Sequence, residues 1–229
     1  MTLAAARRLG ACGVLAPVIF TAAWVVSGFV QEGYSARRED ISALAARSAE
    51  HPWVMIVGLV TSGLFVAAFA LALHSGVRRG SVAGPALVAF CGLGMVALGL
   101  LRNDCSSMTE ACEARVAAGN VSWQHTAHDV LSVPVFAAAI AAPLFLALRF
   151  RADASWRPLA PFSAAAAPVL GALFVLGGIE AAASWNGVIQ RAAVSAALLW
   201  LEAAALHLQR LMTRRASEQR EGRCDPALS

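Results

Sequence analysis

Lysine is missing from this 229-residue chain, tyrosine occurs once, and charged residues of all kinds reach only 14%. A soluble domain carries about 25%, so there is too little charge here to clothe a surface that faces water all round. Basic residues interleaved with aromatics, the pattern of a nucleic-acid groove, are absent as well, and no nucleic-acid partner is expected. The net charge of +4 comes from 18 arginines scattered along the chain. What the chain has in excess is apolar: 59% of residues are hydrophobic and the mean hydropathy is +0.64.

That excess is gathered into six runs, 9–30, 53–73, 82–101, 130–148, 159–179 and 188–208. Crossing a hydrocarbon core of ~30 Å takes about 20 helical residues, which is the length of each run. Backbone polar groups in lipid must be satisfied within the segment, so these runs predict helices. The expectation is an all-α, polytopic membrane helix bundle of about six transmembrane helices. Small residues let helices approach closely in lipid, and neighbouring helices can satisfy backbone groups that proline frees. No linker divides the chain, so one membrane domain is predicted, followed at 210–229 by a basic, disordered cytoplasmic tail that carries Cys224.

Arginine placement orients the bundle. With both termini inside, the outer loops hold only Arg37, Arg38, Arg47, Arg102, Arg115 and Arg191, and the other twelve, from Arg7 and Arg8 through Arg78 to Arg220 and Arg223, lie on the cytoplasmic side. The positive-inside rule therefore favours a multi-pass protein of the cell membrane, N-in and C-in, in contact with membrane lipids. Acidic residues such as Asp40, Asp104, Asp129 and Glu180 fall on the outer side. Arg7-Arg8 before an apolar run resembles a secretory signal, but 22 apolar residues are long for a cleaved segment, and retention as a first helix is expected. Residues 14–20 and 130–136 echo each other weakly, as in an inverted repeat of three helices.

The outer loops hold most of the reactive groups. Cys105 and Cys112 are separated by six residues on the non-cytoplasmic side, where a disulfide is expected. His125, His128 and Asp129 stand at i, i+3 and i+4, on one face of a helix. With Asp104 at the end of the preceding span they are the candidate catalytic or metal-ligating set, and a His/carboxylate site suits zinc or another first-row divalent ion. Two cysteines joined to two histidines would be a zinc site of unusual spacing. The bland alternative makes Asp129 a helix cap and the histidines interfacial residues. Within the last run, Glu202 is an intramembrane acid, with His207 nearer its end. Burial in lipid should turn Glu202 toward the bundle or a watery cavity.

The first outer loop reads Gly33-Tyr34-Ser35 and then Asp40-Ile41-Ser42-Ala43-Leu44. A short interfacial helix capped by Asp40 or Ser42 and running through Ala49, with Tyr34 at the headgroup level, accounts for it physically. A first span followed by Gly-Tyr-Ser and Asp-Ile-Ser-x-Leu, an Asp after the third span (Asp104) and a His at the start of the fourth (His125 or His128) resembles the six-helix membrane family known as domain of unknown function 998. The resemblance implies a fold and a membrane location and supplies no catalytic residues. Three functions therefore stand at this point: an accessory or structural membrane protein, a metal-dependent membrane hydrolase or lipid-modifying enzyme acting through Asp104, His125, His128 and Asp129, and a small proton-linked transporter acting through Glu202.

Overall fold

Among the described residues, the six apolar runs and their flanks fold into seven α-helices. The computed structural model describes residues 2–77 and 79–224; Met1, Arg78, residues 225–229 and the side chains of residues 180, 181 and 219–224 lie outside the described part. The helices are α1 Leu3–Val30, α2 Pro52–Gly76, α3 Ala83–Leu100, α4 Glu110–Ala117, α5 Trp123–Arg151, α6 Ala160–Gly177 and α7 Asn186–Cys224. All but α4 are long and apolar enough to cross a membrane, and no strand occurs among the described residues. Short 3₁₀ turns at Ile41–Ala45, Arg157–Leu159 and Glu180–Trp185 punctuate the loops.

Several helices outrun their apolar runs because local capping starts them early. Ser122 caps α5 by accepting the His125 N–H at 3.3 Å, so α5 begins seven residues before its apolar run and Asp129 lies inside the helix. Asp129 is therefore no cap. Thr2 and Thr109 cap α1 and α4 in the same way. At the other end, the expected disordered tail continues α7 as helix through Cys224. Nothing from Gln209 to Glu221 breaks a helix, and Met212 packs into the core at 2% exposure.

The six spans form a closed ring in the order α1, α2, α3, α5, α6, α7, with α7 returning to α1. Small residues set the closest contacts, since lipid offers no hydrophobic drive and association rests on van der Waals packing. A Cβ on Gly63 of α2 would lie 2.5 Å from the Gly92 carbonyl oxygen of α3, and one on Gly84 of α3 would lie 2.6 Å from Leu146 of α5. The half of the bundle nearer the termini is densely filled by Phe69, Leu73, Leu146, Phe150, Trp156 and Leu208. Phe150 and Trp156 stack there with ring centroids 4.7 Å apart. Buried Arg149 satisfies the end of α2, donating to the carbonyls of His74 at 2.9 Å, Ser81 at 2.6 Å and Val77. The opposite half, called outer below after the arginine count, has a smaller core on the α1–α2 side around Phe20, Ile41, Leu44, Met55 and Leu59.

Candidate functional site: the outer cap and the central cavity

Over the outer end of the ring the three long loops lock into one cap. The turn at Ile41–Ala45 ends on Arg102, whose guanidinium donates to the carbonyls of Ala45 and Ala46, each at 3.0 Å. Asn103 accepts the Arg47 N–H at 2.8 Å. The other side of the first loop is held by the start of α7. Gln190 accepts the Ile41 N–H at 2.7 Å, and Asn186 donates to Asp40 Oδ1 at 2.8 Å. Arg191 donates to the carbonyls of Ala36 at 2.8 Å and Glu39 at 3.0 Å and to the Tyr34 hydroxyl. Its guanidinium also lies over the rings of Trp24 and Tyr34, at 5.4 and 5.5 Å.

Tyr34 is therefore tied into the cap through its hydroxyl. Its hydroxyl donates to the Asp40 carbonyl at 3.0 Å, and burial pushes its phenol up to about 12, against the pull of Arg191 toward the ionised form. Asp40 departs from expectation. It flanks the turn without a side-chain capping bond, and its carboxyl is pushed up by burial although Arg191, Ser107 and Asn186 favour its charge. The short helix expected through Ala49 stops at Ala45, because the following residues turn away to meet Asn103. Arg191 was legible only as one more outer arginine. The available signal was its position three residues inside an apolar run, where a cation needs a partner.

The four candidate residues between α3 and α5 are close in space but divided in task. Asp104 accepts the backbone N–H of Ser122, and its Oδ1 accepts the Ser122 hydroxyl at 2.8 Å. Arg47 Nη1 is 3.4 Å from Oδ1, and Arg115 Nη2 is 4.0 Å from Oδ2. The Ser122 N–H is the chief cause that holds the Asp104 carboxyl below the usual range, with Arg47 adding to it. His128 Nδ1 meets the Leu101 carbonyl at 2.6 Å, which closes the end of α3. Its Nδ1 is thus committed to α3, while His125 Nε2 and Asp129 Oδ2 lie 3.4 Å apart on the same helix face.

His125 is buried at 1% exposure and accepts the Asp104 N–H on Nδ1 at 3.1 Å, which leaves the ring proton on Nε2. Nε2 has no hydrogen-bond partner, although Asp129 Oδ2 lies 3.4 Å away. Cys105 and Cys112 form a disulfide, with Cα atoms 5.7 Å apart, that ties α4 to the turn after α3. One nitrogen of His125 and the two sulfurs lie within 4.8 Å of one another. While the sulfurs are bonded to each other they are not thiolate donors, so His125 and Asp129 alone remain for a metal. A catalytic zinc site takes three protein ligands, and the oxidised cluster falls short of that set.

Below the cap the ring surrounds a partly open cavity of about 180 Å³. Every span lines it, through Phe20, Leu59, Met95, Val135, Phe174 and Val194 among others. The Cys91 thiol, which donates to the Val135 carbonyl at 3.7 Å, and the Trp200 indole N–H, which donates to Ser163 at 3.0 Å, are already occupied. Glu202 is not part of this lining. It shares a face of α7 with Leu199 and Leu206, which are 63% and 40% exposed, and its carboxylate has no partner among the described residues.

Six apolar spans, a loop cap and a disulfide that braces it define a multi-pass α-helical membrane protein with its polar machinery at one end. The chain belongs to the family described as "Protein of unknown function (DUF998)", whose family model matches residues 14–207. No curated protein and no solved structure matches it.

Proposed function

We propose that this protein is a non-catalytic accessory component of the cell membrane, with its termini in the cytoplasm and its outer cap acting as a structural clamp. One observation carries the proposal: the side chains that could do acid–base chemistry are committed to holding the loops. Asp104 caps α5 together with Ser122, His128 closes α3, and Tyr34, Asp40 and Arg191 bind the first loop to α7. Residues kept for catalysis commonly sit in strained sites whose removal leaves stability unchanged or improves it, whereas a clamp stabilises the fold. Melting of Asp104→Asn, His128→Ala and Arg191→Gln in a mild detergent separates the two. A clamp predicts that each variant loses about 1–3 kcal/mol, the scale of a lost charge-assisted or buried hydrogen bond. Unchanged or raised stability in all three would end the structural account.

A second function, a divalent metal centre of a membrane hydrolase or lipid-modifying enzyme, has a single observation in its favour, the unpartnered Nε2 of buried His125 beside Asp129. It requires the disulfide to open so that Cys105 and Cys112 can serve as donors. Metal content of the wild-type protein, measured before and after reduction alongside the melting series, decides it: zinc retained in stoichiometric amount and lost in His125→Ala would support it. The transporter reading has less behind it, since Glu202 lies outside the lining of the cavity.

A further inference from the structure

We propose that the central cavity is the seat of a single hydrocarbon chain of a membrane lipid, admitted sideways past α6. The chemistry of the lining selects the occupant. Water needs two to four polar partners to settle in a cavity, and the lining offers none, since the Cys91 thiol and the Trp200 indole are already bonded within the protein. A dry apolar void of about 150 Å³ is known to take a ligand as small as benzene, and this one is larger, at about 180 Å³. Its lining runs along α3 from Val88 to Leu98, about 15 Å at 1.5 Å per residue. That is half of a ~30 Å hydrocarbon core, the depth of one leaflet and so of one lipid chain. The terminal end of the ring is plugged by Phe150, Trp156 and Leu208, so the cavity, which straddles the middle of the bundle from Leu59 to Val66 on α2, is closed toward the termini.

The route in follows from how the ring closes. α5 and α7 scarcely touch each other, and α6 is the stave that joins them. It is the least buried of the six spans. Phe174 of α6 lines the cavity and is at the same time 44% exposed on the membrane side. The glycines of α6 are loosely set: a Cβ on Gly171 would meet only Ile140, at 3.8 Å, in contrast to the tight Gly63–Gly92 and Gly84–Leu146 seams. One or two turns nearer the cap, α5 carries Asp129 and Ser132 and α7 carries Asn186 and Gln190. A chain in the cavity would leave its head group at this polar rim.

The test uses the whole protein in nanodiscs containing a phosphatidylcholine with a photoactivatable diazirine on one acyl chain. The expected result is one covalently bound lipid per protein, with labelled peptides from 135–142 and 193–201 on inward positions. Ala139→Phe and Ala197→Phe should fill the void, lower inward labelling at least tenfold and leave labelling of outward Val133 and Leu199 unchanged. If a phenylalanine prevents folding, Ala193→Leu adds less volume at the same lining and should lower the labelling about threefold. Native mass spectrometry of unlabelled protein then reports whether the retained chain comes from a phospholipid, a free fatty acid or a polyprenyl lipid. Labels confined to outward positions, or inward labelling that filling does not reduce, would overturn the assignment. Lipid retention reads the cavity residues and melting of the cap variants reads the loops, so either proposal can fail without the other.

Discussion

Tyr34 shows how much the role of one side chain depends on residues far along the chain. Its ring and hydroxyl are held by Arg191, which is 157 residues away in sequence, so the loop motif around Tyr34 has no meaning without the last helix. Since the protein has a single tyrosine, phenolate absorbance reads this site alone. The folded protein should titrate with a midpoint of about 12, and the denatured chain near the free value of about 10. The sign follows from that order. The folded state favours the neutral phenol, so this contribution to stability is complete below about 10 and is lost as pH climbs through about 12. A folded midpoint near 10 would remove Tyr34 from the clamp. Asp104 works in the opposite direction: its carboxyl is held low, so the stability it confers is present above about 4 and fades as pH falls through its folded value.

Among the elements, the loop between α3 and α5 depends most on covalent chemistry. Helix α4 has only eight residues, too few to be stable alone, and it is fixed by Cys112 at one end of the disulfide. Closing a loop of this length stabilises by about 2–3 kcal/mol in the chain-entropy model. Reduction should therefore lower the melting point, and Cys105 and Cys112 should resist a maleimide until a reductant is added. Labelling of both without reductant in intact cells would refute the disulfide. The spacing of the two cysteines was enough to expect this bond from the sequence. The clamp around Arg191 was not legible in the same way, because the sequence does not show which outer loop an arginine at the start of the last span will grip. The length of α7 is hidden for a related reason: polarity after Leu208 marks departure from the membrane without ending the helix, since Met212 still has a core to pack against.

For the whole molecule, the ring of six spans and the arginine distribution make one prediction about direction. Reporter fusions after Arg79, Arg157 and Arg215 should respond as cytoplasmic, and fusions within 43–50 and 108–120 as exterior. A cytoplasmic response from 108–120 would invert the molecule and place the disulfide in a reducing compartment. The sequence by itself determined the number of spans and their helical state, and its arginines predict the side on which the loops gather. Lipid allows a continuous apolar segment essentially one backbone form, and arginines count the same wherever the helices pack. Only the tertiary structure decided what the polar residues do. Asp104, His128, Tyr34 and Arg191 are spent on one another or on backbone groups, His125 is left with a free nitrogen among the described residues, and Glu202 lies outside the cavity lining. Those outcomes depend on the rotation of each helix about its axis and on the order of helices around the ring, which are set by glycine seams and bulky side chains meeting across the bundle. An apolar run records its length in the sequence, but a cavity exists only between helices, where six partly filled faces leave a gap.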